Sequence, residues 1–210
     1  MRLIFCRHGN TFEEGEAVTW VGASEDMPLT RKGMEQAKAT ARALHIQEIR
    51  PAAVYAGTLS RLTGYAAILC DHLDLAKGPI RTCLLDEVNY GVWGGLTSEQ
   101  IQDLGLAADL KGWENEGIWP QKSGWEESEV EALIRVKTFL RRIQEQHPQE
   151  ATLLAITSNG LIRLFLRFCG DEYQTALKAG KLKVKTGNYC VLEQADGKWR
   201  SAAWNQDPRA

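Results

Sequence analysis

The sequence predicts an α/β fold, a mostly parallel central sheet flanked by helices with a small inserted cap. Three observations carry this. Strand-like and helix-like patterns alternate along most of the 210 residues. The apolar runs at 2–6 and 152–157 read as buried strands, and the second is followed at once by a hydrophobic helix, Leu161 to Phe168. Between 88 and 126 the alternation gives way to glycines, turn signals and Trp93, Trp113, Trp119 and Trp125, which marks an insertion.

The elements follow in order. Thr30-x-x-Gly33 opens a helix whose core face carries Met34, Ala37, Ala41 and Leu44. Pro51 ends the connection, and 52–56 reads as a second strand. Thr58 or Ser60 is placed to cap the next helix, which turns Leu62, Ala66, Leu69 and Leu73 inward. A long helix over about 127–146 has Val130, Leu133, Ile134 and Leu140 on one face. The end of the chain, about 181–204, holds two strand-like runs split by Asp196-Gly197, a hairpin signal.

Composition narrows the function classes. With 44% hydrophobic residues the chain supports a single domain over 1–210, with 88–126 as a cap region inside it. Net charge is −2 and no Lys/Arg block occurs, so neither nucleic acid nor a membrane surface is expected as a partner. No run approaches the roughly 18–20 apolar residues of a membrane span. Met1 stands one residue before the first strand, which leaves no room for a secretion signal. Five widely spaced cysteines without Cys-x-x-Cys fit reduced thiols, and a cytoplasmic location is expected. Histidines 8, 45, 72 and 147 lack metal-ligand spacing, so no metal is expected. Glycine-rich nucleotide motifs and Gly-x-Ser-x-Gly are absent, so no cofactor is expected either.

Chemistry gathers where open α/β sheets place their ligands, at the C-terminal strand edge. His8 ends the first strand beside Arg7, whose planar fork suits phosphate oxygens, and Gly9, which lets a ligand approach the backbone. Arg61 sits in a helix's first turn, a poor place for a cation with respect to the macrodipole. Glu87 follows Leu84-Leu85-Asp86. Thr157-Ser158-Asn159-Gly160 joins a strand to a helix N-terminus.

Arg7-His8-Gly9-x-Thr11, then Gly22-x-x-x-Asp26-x-Pro28-Leu29-Thr30-x-x-Gly33-x-x-Gln36-Ala37, resembles the histidine phosphatase superfamily, also called phosphoglycerate mutase-like. The resemblance continues through Leu59-x-Arg61, the Glu87 block, Glu127-Ser128 with Arg135, and Gly160-Leu161-Ile162-Arg163. It implies that His8 attacks phosphorus and becomes transiently phosphorylated, and that Arg7 and Arg61 hold the equatorial oxygens. It implies that Glu87 protonates the leaving oxygen, while Asn10 and Thr11 continue the phosphate loop. The implied activity is metal-independent hydrolysis of a small phosphate monoester. The alternatives are a mutase of the same superfamily and a catalytically silent phosphate-binding protein.

Two departures stand out. Ser158 occupies the place of the family's second histidine, so a neutral hydroxyl, with the Asn159 amide beside it, replaces a charged phosphate ligand. Loss of one such donor costs about 10²–10³ in turnover. Residues 103–131 also carry Asp103, Asp109, Glu114, Glu116, Glu126, Glu127, Glu129 and Glu131 against only Lys111 and Lys122, and Glu13, Glu14 and Glu16 follow the first loop. These acids read as a solvated face. Alternatively they form an acidic, tryptophan-bearing cap that repels polyanions and stacks on a flat leaving group.

Overall fold

The apolar run after Met1 forms strand β1 (Arg2–Arg7). It is followed by helix α1 (Arg31–Ile46), strand β2 (Ala53–Ala56), helix α2 (Ser60–His72) and the two-residue strand β3 (Ile80–Arg81). The 88–126 stretch contains the short helices α3 (Ser98–Ile101) and α4 (Ala107–Lys111). Then come α5 (Glu129–Gln146), β4 (Thr152–Thr157), α6 (Asn159–Phe165), α7 (Glu172–Lys178), β5 (Tyr189–Ala195) and β6 (Lys198–Gln206). The computed structural model describes residues 1–210.

One six-stranded sheet runs in the order β3-β2-β4-β1-β5-β6. The first four strands of that order are mutually parallel, whereas β5 is antiparallel to β1 and β6 to β5. Alternation along the strands sends side chains to opposite faces. Leu3, Phe5, Leu153 and Ala155 join a core with α5 and α6. Ile4, Cys6, Leu154 and Ile156 join a second core with α1 and α2.

Local chemistry sets several boundaries. The Thr30 hydroxyl accepts the Gly33 amide at 3.1 Å and starts α1. Ser128 and Glu131 form a reciprocal capping box at α5. Asp196 and Gly197, with φ of 51° and 73°, supply the left-handed pair that turns β5 into β6.

Some elements differ from the sequence reading. Residues 181–188 form a loop rather than a strand, although Leu182 and Val184 are buried between exposed lysines. Helix α2 has Leu59 at its N-cap with no side-chain cap. The Asp26 carboxylate instead bonds the Ser60 amide and hydroxyl at 2.5 and 2.7 Å, so a distant carboxylate takes the capping role. Met34, Val130 and Ile134 are exposed. The face of α5 that packs inward carries Ala132, Val136, Phe139, Leu140 and Ile143. A helix with apolar residues on two sides offers two stripes, and tertiary packing selects one.

Truncation at that face discriminates between the stripes. Phe139→Ala is expected to cost about 3–5 kcal/mol by urea denaturation, and Ile134→Ala less than about 0.5 kcal/mol. Equal costs would contradict the packing described.

Candidate active site

The parallel pairing of β1 with β4 sets Arg7 opposite Thr157, and the His8 amide bonds the Thr157 carbonyl at 3.1 Å. Adjacent β2 ends in register with Ile156, which brings the Gly57–Arg61 turn to the same edge. Arg7, His8, Asn10, Thr11, Arg61, Glu87 and Asn159 consequently line one cleft of about 1500 Å³.

His8 Nδ1 lies 2.7 Å from the Gly9 carbonyl, which only accepts. Nδ1 therefore carries the proton, and Nε2 keeps its lone pair. Burial, then the charges of Arg61 and Arg7, pushes the His8 pKa well below 6.5, so the ring is neutral at ordinary pH. Gly9 has a role other than ligand approach. A Cβ there would collide with the Gly33 backbone, so the two glycines let the start of α1 press against the His8 loop.

Most of these cleft side chains are braced by backbone, and Asn10 by a hydroxyl. Arg7 Nη1 donates to the Val184 carbonyl at 2.5 Å, and the Arg61 guanidinium donates to Glu25 and Gly22 carbonyls at 2.9 and 2.5 Å. Asn159 Oδ1 accepts the Val184 amide at 2.8 Å, and Asn10 Oδ1 accepts the Thr186 hydroxyl at 2.7 Å. With both amide oxygens occupied, the two NH₂ groups remain as donors for a ligand. Glu87 is 6% exposed; Oε1 accepts the Val88 and Leu161 amides at 2.9 and 3.1 Å, and Oε2 accepts Gly160 at 3.1 Å. Oε2 has one backbone bond and keeps acceptor capacity for a further partner. Position 160 must be glycine for this, since a Cβ would lie 2.5 Å from Glu87 Oε1 and 2.6 Å from the Tyr90 hydroxyl.

The structure does not bring Ser158 to the cleft. It is 1% exposed, absent from the lining, and its Oγ is buried with no partner. The short side chain at the N-cap of α6 lies behind the wall, whereas Asn159 one residue later reaches it. The sequence reading gave no site role to Tyr90, nor to Gln36 and Arg163, which it held only as motif positions. Gln36 accepts the Asn10 amide at 2.8 Å and donates to the Thr186 carbonyl at 3.1 Å. Arg163 also lines the cleft; its place four residues after Asn159, on the same helical face, was the available signal.

The acidic cap is overturned. Of the eight acids between 103 and 131, only Glu114 lines the cleft. Asp109 bonds the Ser123 hydroxyl, Glu127 pairs with Arg135, Glu129 with Arg167, Glu116 with Lys111, and Glu131 caps α5. Across the rim, Glu13, Glu14 and Glu16 face Arg31, Lys32, Lys178, Lys183 and Lys185, so the mouth carries both signs. The tryptophans are not free to stack on a ligand. Trp93, Trp113 and Trp119 are buried, with Trp125 within 4.9–5.1 Å of all three ring centroids.

A model of the histidine phosphatase superfamily (branch 1) matches residues 3–207. The chain belongs to that superfamily. Among solved structures, the superfamily member described here is similar to a mycobacterial glucosyl-3-phosphoglycerate phosphatase. That match has 20% identity and a TM-score of 0.79, covering 98% of this chain and 99% of the other. A putative alpha-ribazole-5'-P phosphatase from Escherichia coli matches with 19% identity and a TM-score of 0.75, covering 99% and 98%. A phosphoserine phosphatase mutant from Entamoeba histolytica, in complex with phosphoserine, matches with 17% identity and a TM-score of 0.74, covering 98% and 97%. No curated protein sequence matches the chain. No three histidine, cysteine, aspartate or glutamate side chains converge as a metal site would require, and no helix is long and apolar enough to cross a membrane.

The depressed His8 pKa has a signed consequence. Below pH 6.5 the unfolded chain binds a proton at His8 that the folded site refuses, so this group's contribution to stability falls on acidification. The slope approaches about 1.4 kcal/mol per pH unit. In urea titrations from pH 7 downward, His8→Gln is expected to remove that component. An identical slope in both proteins would contradict a buried neutral imidazole.

Proposed function

We propose that this chain is a metal-independent phosphomonoesterase that acts on a small phosphate ester through a phosphohistidine at His8. The observation that carries the reading is the Nδ1–Gly9 hydrogen bond, which leaves the Nε2 lone pair bare in a cleft shared with Arg7, Arg61 and Glu87. Nε2 attacks phosphorus while the bond from phosphorus to the ester oxygen breaks, and Glu87 gives that oxygen a proton. The arginines balance charge that spreads over the equatorial oxygens in the transition state. In the second step Glu87 takes a proton from water as its oxygen attacks phosphorus, and the N–P bond returns its electron pair to Nε2.

The cleft is far larger than a phosphate, and its floor and rim separate the roles of phosphate and alcohol. Asn10, Thr11 and Asn159 serve the phosphoryl oxygens. The 88–126 segment acts as a cap that contributes Trp113, Glu114 and Asn115 to the wall around the alcohol. Rim cations from 31–32 and 178–185 remove the reason to expect rejection of anionic alcohols.

Incubation with an aryl phosphate tests the reading. Turnover is expected to resist chelators and to fall by about 10³-fold or more in His8→Ala, and acid-quenched wild type is expected to lose its protein-bound phosphate readily. Chelator-sensitive release, or release unchanged in His8→Ala, would overturn it. Transfer between sugar-acid hydroxyls would mark the mutase alternative instead.

The two neighbouring positions at the start of α6 separate in the same assay. Ser158→Ala is expected to leave turnover within about twofold, because its hydroxyl is behind the wall, whereas Asn159→Ala loses about 10²-fold with the loss of a phosphate donor. The reverse order would return the ligand role to Ser158.

A further inference from the structure

Seven arginines of this chain form two contrasting sets. Arg135, Arg167, Arg200 and Arg209 each pair with a carboxylate at 2.6–2.8 Å. Arg7, Arg61 and Arg163 line the cleft, and none has a carboxylate within 4.0 Å. Their guanidinium groups meet backbone carbonyls instead, of Val184 for Arg7, Gly22 and Glu25 for Arg61, and Trp113 for Arg163. A carbonyl solvates a cation without neutralising it. The one buried carboxylate that faces all three is Glu87. With His8 neutral, three guanidinium groups face the single carboxyl group of Glu87, an excess of cationic groups that suits a phosphate monoester. Such a surplus is costly to bury without an anion.

We propose that Arg163 is the third cation of the phosphate site. This rests on the phosphatase reading above and deepens it. Arg163 is 3% exposed, and its Nε is buried without a partner, an unused donor. It stands one turn after Asn159 in α6. Long side chains in a helix lean back over the preceding turn, which here carries Asn159 and the Gly160 amide that holds Glu87. Its guanidinium lies 4.2 Å from the Trp113 ring centroid and donates to the Trp113 carbonyl at 2.7 Å. That clamp fixes the cation in place and ties the 88–126 segment to the site.

Calorimetric titration with inorganic phosphate at fixed pH, together with ligand-free melting curves, tests the role. Arg163→Gln is expected to weaken phosphate binding by on the order of ten- to a hundredfold while its ligand-free melting temperature falls by only a few degrees. Arg163→Lys, which keeps the charge but loses the flat stack on Trp113, is expected to stay within about threefold of wild-type affinity. Unchanged phosphate affinity in a folded Arg163→Gln protein overturns the proposal and leaves Arg163 as a clamp. So does equal loss of affinity in both variants, or failure of both to fold. Wild-type protein that binds no phosphate overturns the phosphatase reading and this proposal with it. Phosphate bound by wild type and by Arg163→Gln alike sinks only the role of Arg163.

Discussion

The parallel pairing of β1 with β4 is the constraint on which the site depends. Arg7 lies opposite Thr157, and the chain leaves both strands at the same level, so His8 and the start of α6 emerge side by side. A slip of one residue would exchange the two faces of β1, exposing Phe5 and Leu3 to the wrong core and turning His8 away. The cores on both faces therefore hold the catalytic register as well as the fold. Each strand contributes alternate side chains to each core, so a slip costs packing on both sides at once.

Support from the far end of the chain completes the edge. The peptide around Val184 receives Arg7 on its carbonyl and gives its amide to Asn159, and Thr186 holds Asn10 two residues later. One stretch of loop thus orients three side chains that lie up to 177 residues away in sequence. Buried Leu182 and Val184 anchor that loop, while Lys183 and Lys185 face the cleft. Backbone groups suit this bracing because they cannot rotate away, and they leave side-chain donors unspent for a ligand.

The 88–126 segment is tied to the site by packing and by charge. Its tryptophans pack edge-to-face among themselves and belong to the same core as β1, β4, α5 and α6. Most of the acids between 103 and 131 are committed to caps, hydroxyl bonds and ion pairs, as Arg135 shows by gripping Glu127 through two nitrogens while donating to the Asp86 carbonyl beside Glu87. Composition overstated the negative field at the mouth because it counts charges without their partners.

Read alone, the sequence determined what chain neighbours decide. The apolar runs of β1 and β4, the caps at Thr30 and Ser128, the turn at Asp196-Gly197 and the order of the motifs all follow from interactions within a few residues. Of the eight expected site positions seven line one cleft, and among these Arg7, His8, Arg61 and Asn159 stand at a strand end or a helix start, where chain order is a guide to place. Tertiary structure alone decided the proton on His8 Nδ1, the concealment of Ser158, the exposed side of α5 and the buried charge at Arg163. Each depends on atoms brought together from distant parts of the chain, such as Trp113 against Arg163, and a one-dimensional pattern holds no record of which of two available faces or partners the fold selects.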